Sequence, residues 1–306
     1  MPLFSVILPT YNRRVLLART LESVWAQRFT DYEIIIVDDG STDGTVEWLG
    51  QGVKGAHFFQ QSHGGPGAAR NLALQHATGE YAAFLDSDDL WFPWSLDLYA
   101  QAIRQHSKPA FIAGKVIQFH DETEIARITD APLQTLVFAD YLASGDEWRW
   151  YGISSFVMKR ELVNAAGGFP QAAINGEDSD LALRLGTAPG FIQITAPAMF
   201  GYREHAGGVR HVPGKNIGGD MHRITMEESG RYPGGEERSL ERWRILSPHL
   251  RANSLECLRG GLRAEAWQMY RRTIRWNVAL GRWKYLATFP LMALVTRFLG
   301  GKERKP

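Results

Sequence analysis

Short apolar runs alternate with helically spaced apolar positions over the first ninety or so residues. Phe4-Ser5-Val6-Ile7-Leu8, Glu33-Ile34-Ile35-Ile36-Val37, residues 57–60 and Tyr81-Ala82-Ala83-Phe84-Leu85 are the runs. Segments that are apolar on both faces and bounded by turn residues read as strands buried within a parallel sheet. Between the first two, Leu16, Leu17, Leu21, Val24 and Trp25 recur at helical spacing. Ser41, Thr42 and Asp43 are turn and cap residues for a short helix through Trp48. Gly64-Gly65-Pro66-Gly67 opens another helix, with Pro66 suited to its first turn, and that helix ends near Thr78-Gly79. A βαβα rhythm predicts a mainly parallel sheet covered by helices.

The second half is less regular. Residues 110–119, 153–158, 191–194 and 198–202 read as strands, and 159–166 as a short helix stopped by Gly167-Gly168. An amphipathic helix starts at Glu177. Residues 203–235 are polar and carry the pairs Gly207-Gly208, Gly218-Gly219 and Gly234-Gly235, so a long mobile loop is expected there. From Glu236 onward the pattern is helical.

Composition and charge narrow the possibilities. A chain of 306 residues, 44% hydrophobic and 22% charged, can bury a core without covalent staples. The net charge of +1 implies no global field for nucleic acid, and no nucleic-acid partner is expected. The charge is uneven, however. From Arg259 to the end there are eleven Lys or Arg against Glu265 and Glu303, a local balance of +9. Cys257 is the sole cysteine, which rules out an internal disulfide and fits a reducing compartment. Residues 1–10 lack a basic leader and read as a strand, so no signal peptide is expected. No apolar stretch reaches the roughly 20 residues that span a bilayer. The nearest, residues 286–299, contains Pro290 and Arg297. A cytoplasmic location is expected. The alternation of Arg271, Arg272, Arg275, Arg282 and Lys284 with Tyr270, Ile274, Trp276, Trp283 and Tyr285 suits either helices packed on the rest of the chain or peripheral contact with an anionic membrane face.

The chemistry gathers where strands end. Asp38-Asp39-Gly40 follows the second run and Asp86-Ser87-Asp88 the fourth. In a parallel sheet both ends lie on one edge, the edge where open α/β sheets bind ligands. Asp86 and Asp88 are expected to share one face, a suitable pair for a hard divalent cation that also holds phosphate. Alone, each acidic cluster is also compatible with a solvated turn. Gly65-Pro66-Gly67-Ala68-Ala69-Arg70 lacks the last glycine of a dinucleotide fingerprint and places proline in its tight turn, which excludes a Rossmann dehydrogenase.

Taken together, the motifs Val6-Ile7-Leu8-Pro9-Thr10-Tyr11-Asn12-Arg13, Ile36-Val37-Asp38-Asp39-Gly40-Ser41-Thr42-Asp43-Gly44-Thr45, Gly67-Ala68-Ala69-Arg70-Asn71, Phe84-Leu85-Asp86-Ser87-Asp88-Asp89, Gly167-Gly168-Phe169-Pro170 and Gly176-Glu177-Asp178-Ser179-Asp180-Leu181 resemble the family 2 glycosyltransferases of the GT-A fold. The resemblance covers residues 3–210. It implies an α/β GT-A domain at 1–210, with a nucleotide-binding half near 1–118 and an acceptor half near 119–210. A flexible loop at 211–235 and a helical basic extension at 236–306 complete the expected organisation. It further implies that Pro9, Thr10, Tyr11 and Asp39 hold the nucleotide base, that Arg70 approaches the diphosphate or the base pocket, and that Asp86 contacts ribose or sugar. Asp88 would bind Mn²⁺ or Mg²⁺, with His205 completing the metal site. Asp178 would be the catalytic base, with Asp180 as the alternative.

The activity implied is inverting, metal-dependent transfer of a sugar from a nucleotide-sugar donor. A uridine diphosphate sugar is expected, with a saccharide or lipid-linked acceptor in surface polysaccharide or glycolipid assembly. Ser239-Leu240-Glu241-Arg242-Trp243 resembles the Gln-x-x-Arg-Trp motif of processive synthases with serine in place of glutamine, which favours addition of a single sugar. Trp91, Trp94, Trp148 and Trp150 are core residues or stacking surfaces for sugar rings. Two other readings stand beside this one. A nucleotidyltransferase would need a glycine-rich loop after the first strand, where Pro9-Thr10-Tyr11-Asn12-Arg13-Arg14 has none. A degenerate carbohydrate-binding scaffold would not require Asp39, Asp88 and Asp178 together.

Overall fold

The computed structural model describes residues 1–145, 147, 152–170, 174–205 and 214–299. The chain divides into two compact units. One comprises Met1–Tyr141, Trp148–Ala173 and Thr187–Gly207; the other comprises Leu142–Glu147, Ile174–Gly186 and Gly208–Pro306.

The first unit is one mixed sheet flanked by helices. Its strands are β1 (Phe4–Thr10), β2 (Tyr32–Asp38), β3 (Ala56–Gln60), β4 (Tyr81–Phe84), β5 (Leu90–Trp91), β6 (Phe111–Phe119), β7 (Gln134–Phe138), β8 (Phe156–Lys159) and β9 (Phe191–Arg203). The order is β3-β2-β1-β4-β8-β6-β9-β5, with β7 on β9. Strands β1 to β4 pair in parallel, as their two-sided apolar runs predict, and every residue of β1 is buried. The parallel pattern does not extend throughout. β8 runs antiparallel between β4 and β6, and β5 and β7 run antiparallel to β9. Helices α1 (Arg14–Trp25), α2 (Thr45–Gly50) and α3 (Pro66–His76) connect the parallel strands; α4 (Ser95–Gln105), α5 (Glu122–Ile125) and α6 (Arg160–Ala165) follow. Thr10 pairs with Asp38, and Ile7 with Phe84, so β1, β2 and β4 end on the same rim.

Two strand boundaries differ from expectation. Residues 153–155 form a tight 3-10 turn before β8, because the Ser155 hydroxyl bonds the Gly152 carbonyl at 2.8 Å and competes with a ladder. The runs 191–194 and 198–202 are a single strand, β9, containing the cis Ala196–Pro197 bond.

The second unit is helical: α7 (Glu177–Arg184), α8 (Ile217–Glu228), α9 (Ser239–Arg259), α10 (Arg263–Ala279) and α11 (Trp283–Leu299). Helix α8 occupies much of the segment expected to be a flexible loop. Its buried positions are Gly219, Asp220, Arg223, Ile224 and Glu227, which keep helical spacing, but three of the five are charged. A hydropathy pattern therefore misses it. The core between α10 and α11 is aromatic. Tyr270 and Phe289 stack with centroids 4.3 Å apart, and Trp267 and Tyr285 meet Phe289 edge-on or tilted. Cys257 is buried in α9, and burial pushes its thiol up to about 11, which leaves it an inert core residue.

Candidate active site

The rim of the first unit is assembled by three turns. The first joins β1 to α1. Asn12 takes a left-handed conformation (φ 49°), one that asparagine tolerates better than most residues. Its Oδ1 accepts from Thr42 N at 2.7 Å and its own N–H donates to Ser41 Oγ at 2.8 Å, so the turns after β1 and β2 are tied together. The tie presents Tyr11 and Arg13 on opposite sides of Asn12.

Tyr11 belongs to the Asp39 cluster. Asp39 is buried, and its Oδ1 accepts from Gly64 N at 2.8 Å and Gln61 Nε2 at 2.7 Å. Its Oδ2 accepts from Gly65 N at 2.8 Å and lies 2.9 Å from His63 Nδ1. The His63 ring in turn stacks on Tyr11, with centroids 4.2 Å apart. Asp39 thus orders the loop entering α3, and His63, which is well exposed, covers it. Next to it in register, the buried Thr10 Oγ1 and Asp38 Oδ2 have no hydrogen-bond partner among the described residues. Pro9 precedes them within β1.

Arg13 belongs to the second cluster. β4 ends at Phe84, so Asp86, Asp88 and Asp89 lie in a turn closed by Asp89 N donating to Asp86 O at 3.1 Å. This turn, and not strand alternation, brings the acids together. Carboxylate oxygens of Asp86, Asp88 and Asp89 all lie within 4.8 Å of one another. Each negative group has a distinct counterweight. Asp88 Oδ2 contacts Arg13 Nη1 and lies 3.0 Å from His205 Nε2. Asp86 Oδ1 accepts from Arg70 Nη2 at 2.6 Å. Asp89 is fully buried and accepts from Ser154 Oγ at 2.6 Å and Arg203 N at 3.1 Å. Burial first, then the charges of Asp88 and Asp86, hold its carboxyl well above the usual carboxylate range. Arg203 also bonds the Asp88 carbonyl through Nε at 3.0 Å and Glu122 through Nη2 at 2.8 Å. β9 therefore anchors the acidic turn and delivers His205 beside it.

The third turn explains two further motifs. Asn71 Oδ1 accepts from Phe169 N at 2.8 Å, and Nδ2 donates to Phe169 O at 3.0 Å. Gly168 has φ 67°, and a Cβ there would lie 2.4 Å from Asn71 Oδ1, so glycine is required. Phe169 then lies under the Arg70 guanidinium at 5.3 Å. Arg70 is buried in this arrangement and is directed at Asp86; it does not pair with Glu80.

Carboxylates with an imidazole nitrogen form a donor set that fits Mn²⁺ or Mg²⁺, which favour oxygen ligands and, for Mn²⁺, tolerate imidazole. Asp86, Asp88 and Asp89 could hold such an ion, and His205 Nε2 lies 3.0 Å from Asp88 Oδ2.

Asp178 lies in the second unit, in the first turn of α7. Its Oδ1 accepts from Ser179 N at 2.6 Å, and its Oδ2 makes no hydrogen bond among the described residues. Asp180, the alternative base, is buried and saturated. Tyr232 Oη at 2.9 Å and His222 Nε2 at 3.2 Å meet Oδ1, and Arg184 Nε at 2.8 Å meets Oδ2. Arg242 and Trp243 are likewise committed to structure, both bonding Glu227 of α8.

Trp91 and Trp94 are buried, with ring nitrogens donating to Ser154 O and Ala198 O, so they are core residues. Trp148 and Trp150 lie outside the described residues. Sequence reasoning assigned no role to Arg13, His63, Asp89 or Arg203. Arg13 and Asp89 close two of the quoted motifs without having been given a role; His63 and Arg203 lie outside those motifs.

Comparison with known proteins accords with this geometry. The profile of Glycosyl transferase family 2 matches residues 5–167. A relative named for teichuronic acid biosynthesis, the glycosyltransferase TuaG of Bacillus subtilis, is 38% identical over 145 residues, 46% of this chain and 57% of that protein. The GalNAc(5)-diNAcBac-PP-undecaprenol beta-1,3-glucosyltransferase of Campylobacter jejuni is 42% identical over 94 residues, 29% of this chain and 30% of that protein. The chain therefore spans little more than half the length of such relatives, or less. Among solved structures, residues 1–349 of S. aureus TarS align over 91% of both chains, with TM-score 0.61 and 20% identity. The mannosyltransferase PcManGT of Pyrobaculum calidifontis, solved with GDP-Man and Mn²⁺, covers 97% of this chain and 85% of its own, with TM-score 0.53 and 22% identity. These similarities carry the GT-A fold. With a profile match over more than half its length, the chain belongs to Glycosyl transferase family 2.

Proposed function

We propose that the protein is an inverting, metal-dependent glycosyltransferase that moves a sugar from a uridine diphosphate sugar to a saccharide or lipid-linked acceptor in surface polysaccharide or glycolipid assembly. The observation that carries this reading is the pairing of Asp88 with His205 at 3.0 Å inside the three-acid turn of a family 2 domain. The named roles of TuaG and of the undecaprenol-linked glucosyltransferase support the acceptor class, and TarS crystallised with UDP-GlcNAc supports the donor class.

Tyr11 and Asp39 receive the base, and His63 gives way to it by leaving the Tyr11 ring. Thr10 Oγ1 and Asp38 Oδ2 gain partners in the loaded site. Arg70 fixes Asp86 against ribose or sugar. Arg13 is the cation beside Asp88 that meets the diphosphate. Asp88 and His205 would hold a divalent ion, which when bound would supply Lewis-acid stabilisation of the departing nucleoside diphosphate. Asp178 removes the acceptor hydroxyl proton as oxygen attacks the anomeric carbon from the face opposite the leaving group, and the configuration inverts. Asp178 stands in the first turn of α7, where the helix dipole favours a negative side chain.

A thermal-shift screen of nucleoside diphosphates tests the donor reading. UDP with Mn²⁺ should raise the melting temperature more than GDP, ADP or CDP, because only ligands of the folded state stabilise it. Equal shifts for all four would contradict a uridine site.

The exposed face of α11 favours an additional peripheral membrane contact. Tyr285, Phe289 and Ala293 are buried, whereas Trp283, Leu291, Leu294 and Val295 are exposed, Trp283 by 63%. Lys284 lies beside them, and no helix among the described residues is long and apolar enough to cross a membrane. An apolar stripe flanked by basic residues suits a helix lying in an anionic bilayer surface. Co-sedimentation with phosphatidylglycerol vesicles should exceed that with phosphatidylcholine vesicles and fall in Trp283→Ala/Leu291→Gln; equal recovery in all cases would remove this contact.

A further inference from the structure

A polar network in the second unit ends at the turn before α7. Arg223 of α8 donates through Nη1 to the Gly176 carbonyl at 2.9 Å and approaches the Asn175 carbonyl at 3.4 Å. Its Nη2 meets Asp220 Oδ1 at 2.5 Å, and Asp220 Oδ2 accepts from Asn253 Nδ2 of α9 at 2.8 Å. Asn175 itself donates to the Lys215 carbonyl at 2.8 Å. Arg223 and Asp220 are buried, so the fork is shielded from water and from screening.

The approach is too close for ordinary side chains at both contact points. A Cβ on Gly176 would lie 2.0 Å from Arg223 Nη1, and one on Gly219 would lie 1.7 Å from the Asn175 carbonyl oxygen. Gly176 also has φ 81°, which places the left-handed turn directly before α7. Its carbonyl accepts the first helical bond, from Asp180 N at 3.1 Å, in addition to Arg223. Asp180, one turn further on, is held by Tyr232, His222 and Arg184. Asp178 stands between these two fixed points with one carboxylate oxygen uncommitted.

We propose that Arg223, with Asp220 and Asn253, is a positioning device that fixes the start of α7 and hence the Asp178 carboxylate. The proposal rests on the reading of Asp178 as the base. It gives α8 and α9 a role in the chemistry: a carboxylate must be held within a fraction of an ångström for efficient proton removal, and small displacements cost about 100-fold. Arginine suits the place because its two terminal nitrogens meet the backbone carbonyls and the carboxylate from separate points of one planar fork, whereas a lysine ammonium offers a single point.

The test uses the full chain with Mn²⁺ and the member of a UDP-glucose, UDP-galactose, UDP-GlcNAc and UDP-GalNAc panel from which the wild type releases UDP fastest. Arg223→Ala is made together with Asp220→Asn, so that no buried charge is left alone, and Gly219→Ala is made separately to press on the Asn175 carbonyl. Both variants should keep cooperative unfolding, lower kcat about 10- to 100-fold with the donor KM within about 2-fold, and speed amide exchange across residues 176–180. Arg223→Lys should recover only part of kcat. Wild-type kcat in the folded double variant would overturn the positioning role, provided that Asp178→Asn is inactive in the same assay. Full activity of Asp178→Asn would overturn the base assignment, and the positioning role with it.

Discussion

The two units bury clusters of carboxylates, and they satisfy them in opposite ways. In the second unit Asp180 and Asp220 are enclosed, and every oxygen is met by a protein donor: Tyr232, His222 and Arg184 for the first, Arg223 and Asn253 for the second. At the rim of the first unit Asp86, Asp88 and Asp89 crowd together within 4.8 Å, and only Asp89 is fully enclosed. Like charges at such distances repel, and of the three Asp89 is tied into the packing, by Ser154 and Arg203. The contrast teaches how to separate acids that hold the fold from acids that await a ligand. The former have protein donors on both oxygens. At the rim, Asp88 meets the Arg13 guanidinium and the His205 imidazole instead.

That contrast can be broken by substitution, and the largest effect is expected where the carboxylate is enclosed. Asp180→Ala strands Arg184 and the Tyr232 hydroxyl and should cost about 3–5 kcal/mol in urea unfolding, as expected for removal of one partner from a buried ionic network. Asp178→Ala, two residues away, should stay within about 1 kcal/mol of the wild type, since only local bonds to Ser179 are lost. Asp88→Ala should reverse the pattern. Stability should hold or rise as repulsion is relieved, while UDP release from the donor falls about 100-fold or more. A stability loss for Asp88→Ala as large as that for Asp180→Ala would erase the distinction.

Smaller effects sharpen the picture. Tyr11→Ala removes the stacking surface beside Asp39 and should raise the donor KM by an amount equivalent to about 1–3 kcal/mol, with kcat little changed. Glu33 supplies the pH dependence. Burial alone would raise its carboxyl, but hydrogen bonds from Ser5, Thr78 and Gly79 outweigh that and hold it below the ordinary value. A depressed carboxyl contributes stability that is present above its unfolded value, near 4.5, and is lost as pH falls through the folded value. The wild type should therefore lose stability on acidification below about pH 4.5 more steeply than Glu33→Gln, measured by denaturant midpoints at several pH values.

Much of this was legible in the sequence, for physical reasons. Strands β1 to β4 are buried on both faces and so write themselves as apolar runs, and the acids that follow them mark the rim. His205 was identified by resemblance, and the structure sets it against Asp88. The supports of the site were not legible. Ser154 and Arg203 lie 65 and 114 residues from Asp89, and no local pattern announces a hydrogen bond across that span. Helix α8 was read as a loop because its core face is made of Asp220, Arg223 and Glu227, residues that a hydropathy scale counts as exposed. Of the glycines that suggested a mobile loop, Gly219 lets the Asn175 backbone approach α8 closely. The face-sharing argument for Asp86 and Asp88 reached a correct grouping by the wrong geometry, since the strand stops at Phe84 and a turn completes the cluster.

The central claim is that Asp88 and His205 hold a divalent cation at this rim, and Mn²⁺ binding followed by electron paramagnetic resonance tests it most directly. Titration of the wild type with Mn²⁺ in the presence of UDP should show one bound ion per chain, with affinity reduced at least 10-fold in both Asp88→Ala and His205→Ala and unchanged in Asp180→Asn. Wild-type affinity in the Asp88 and His205 variants would contradict the account.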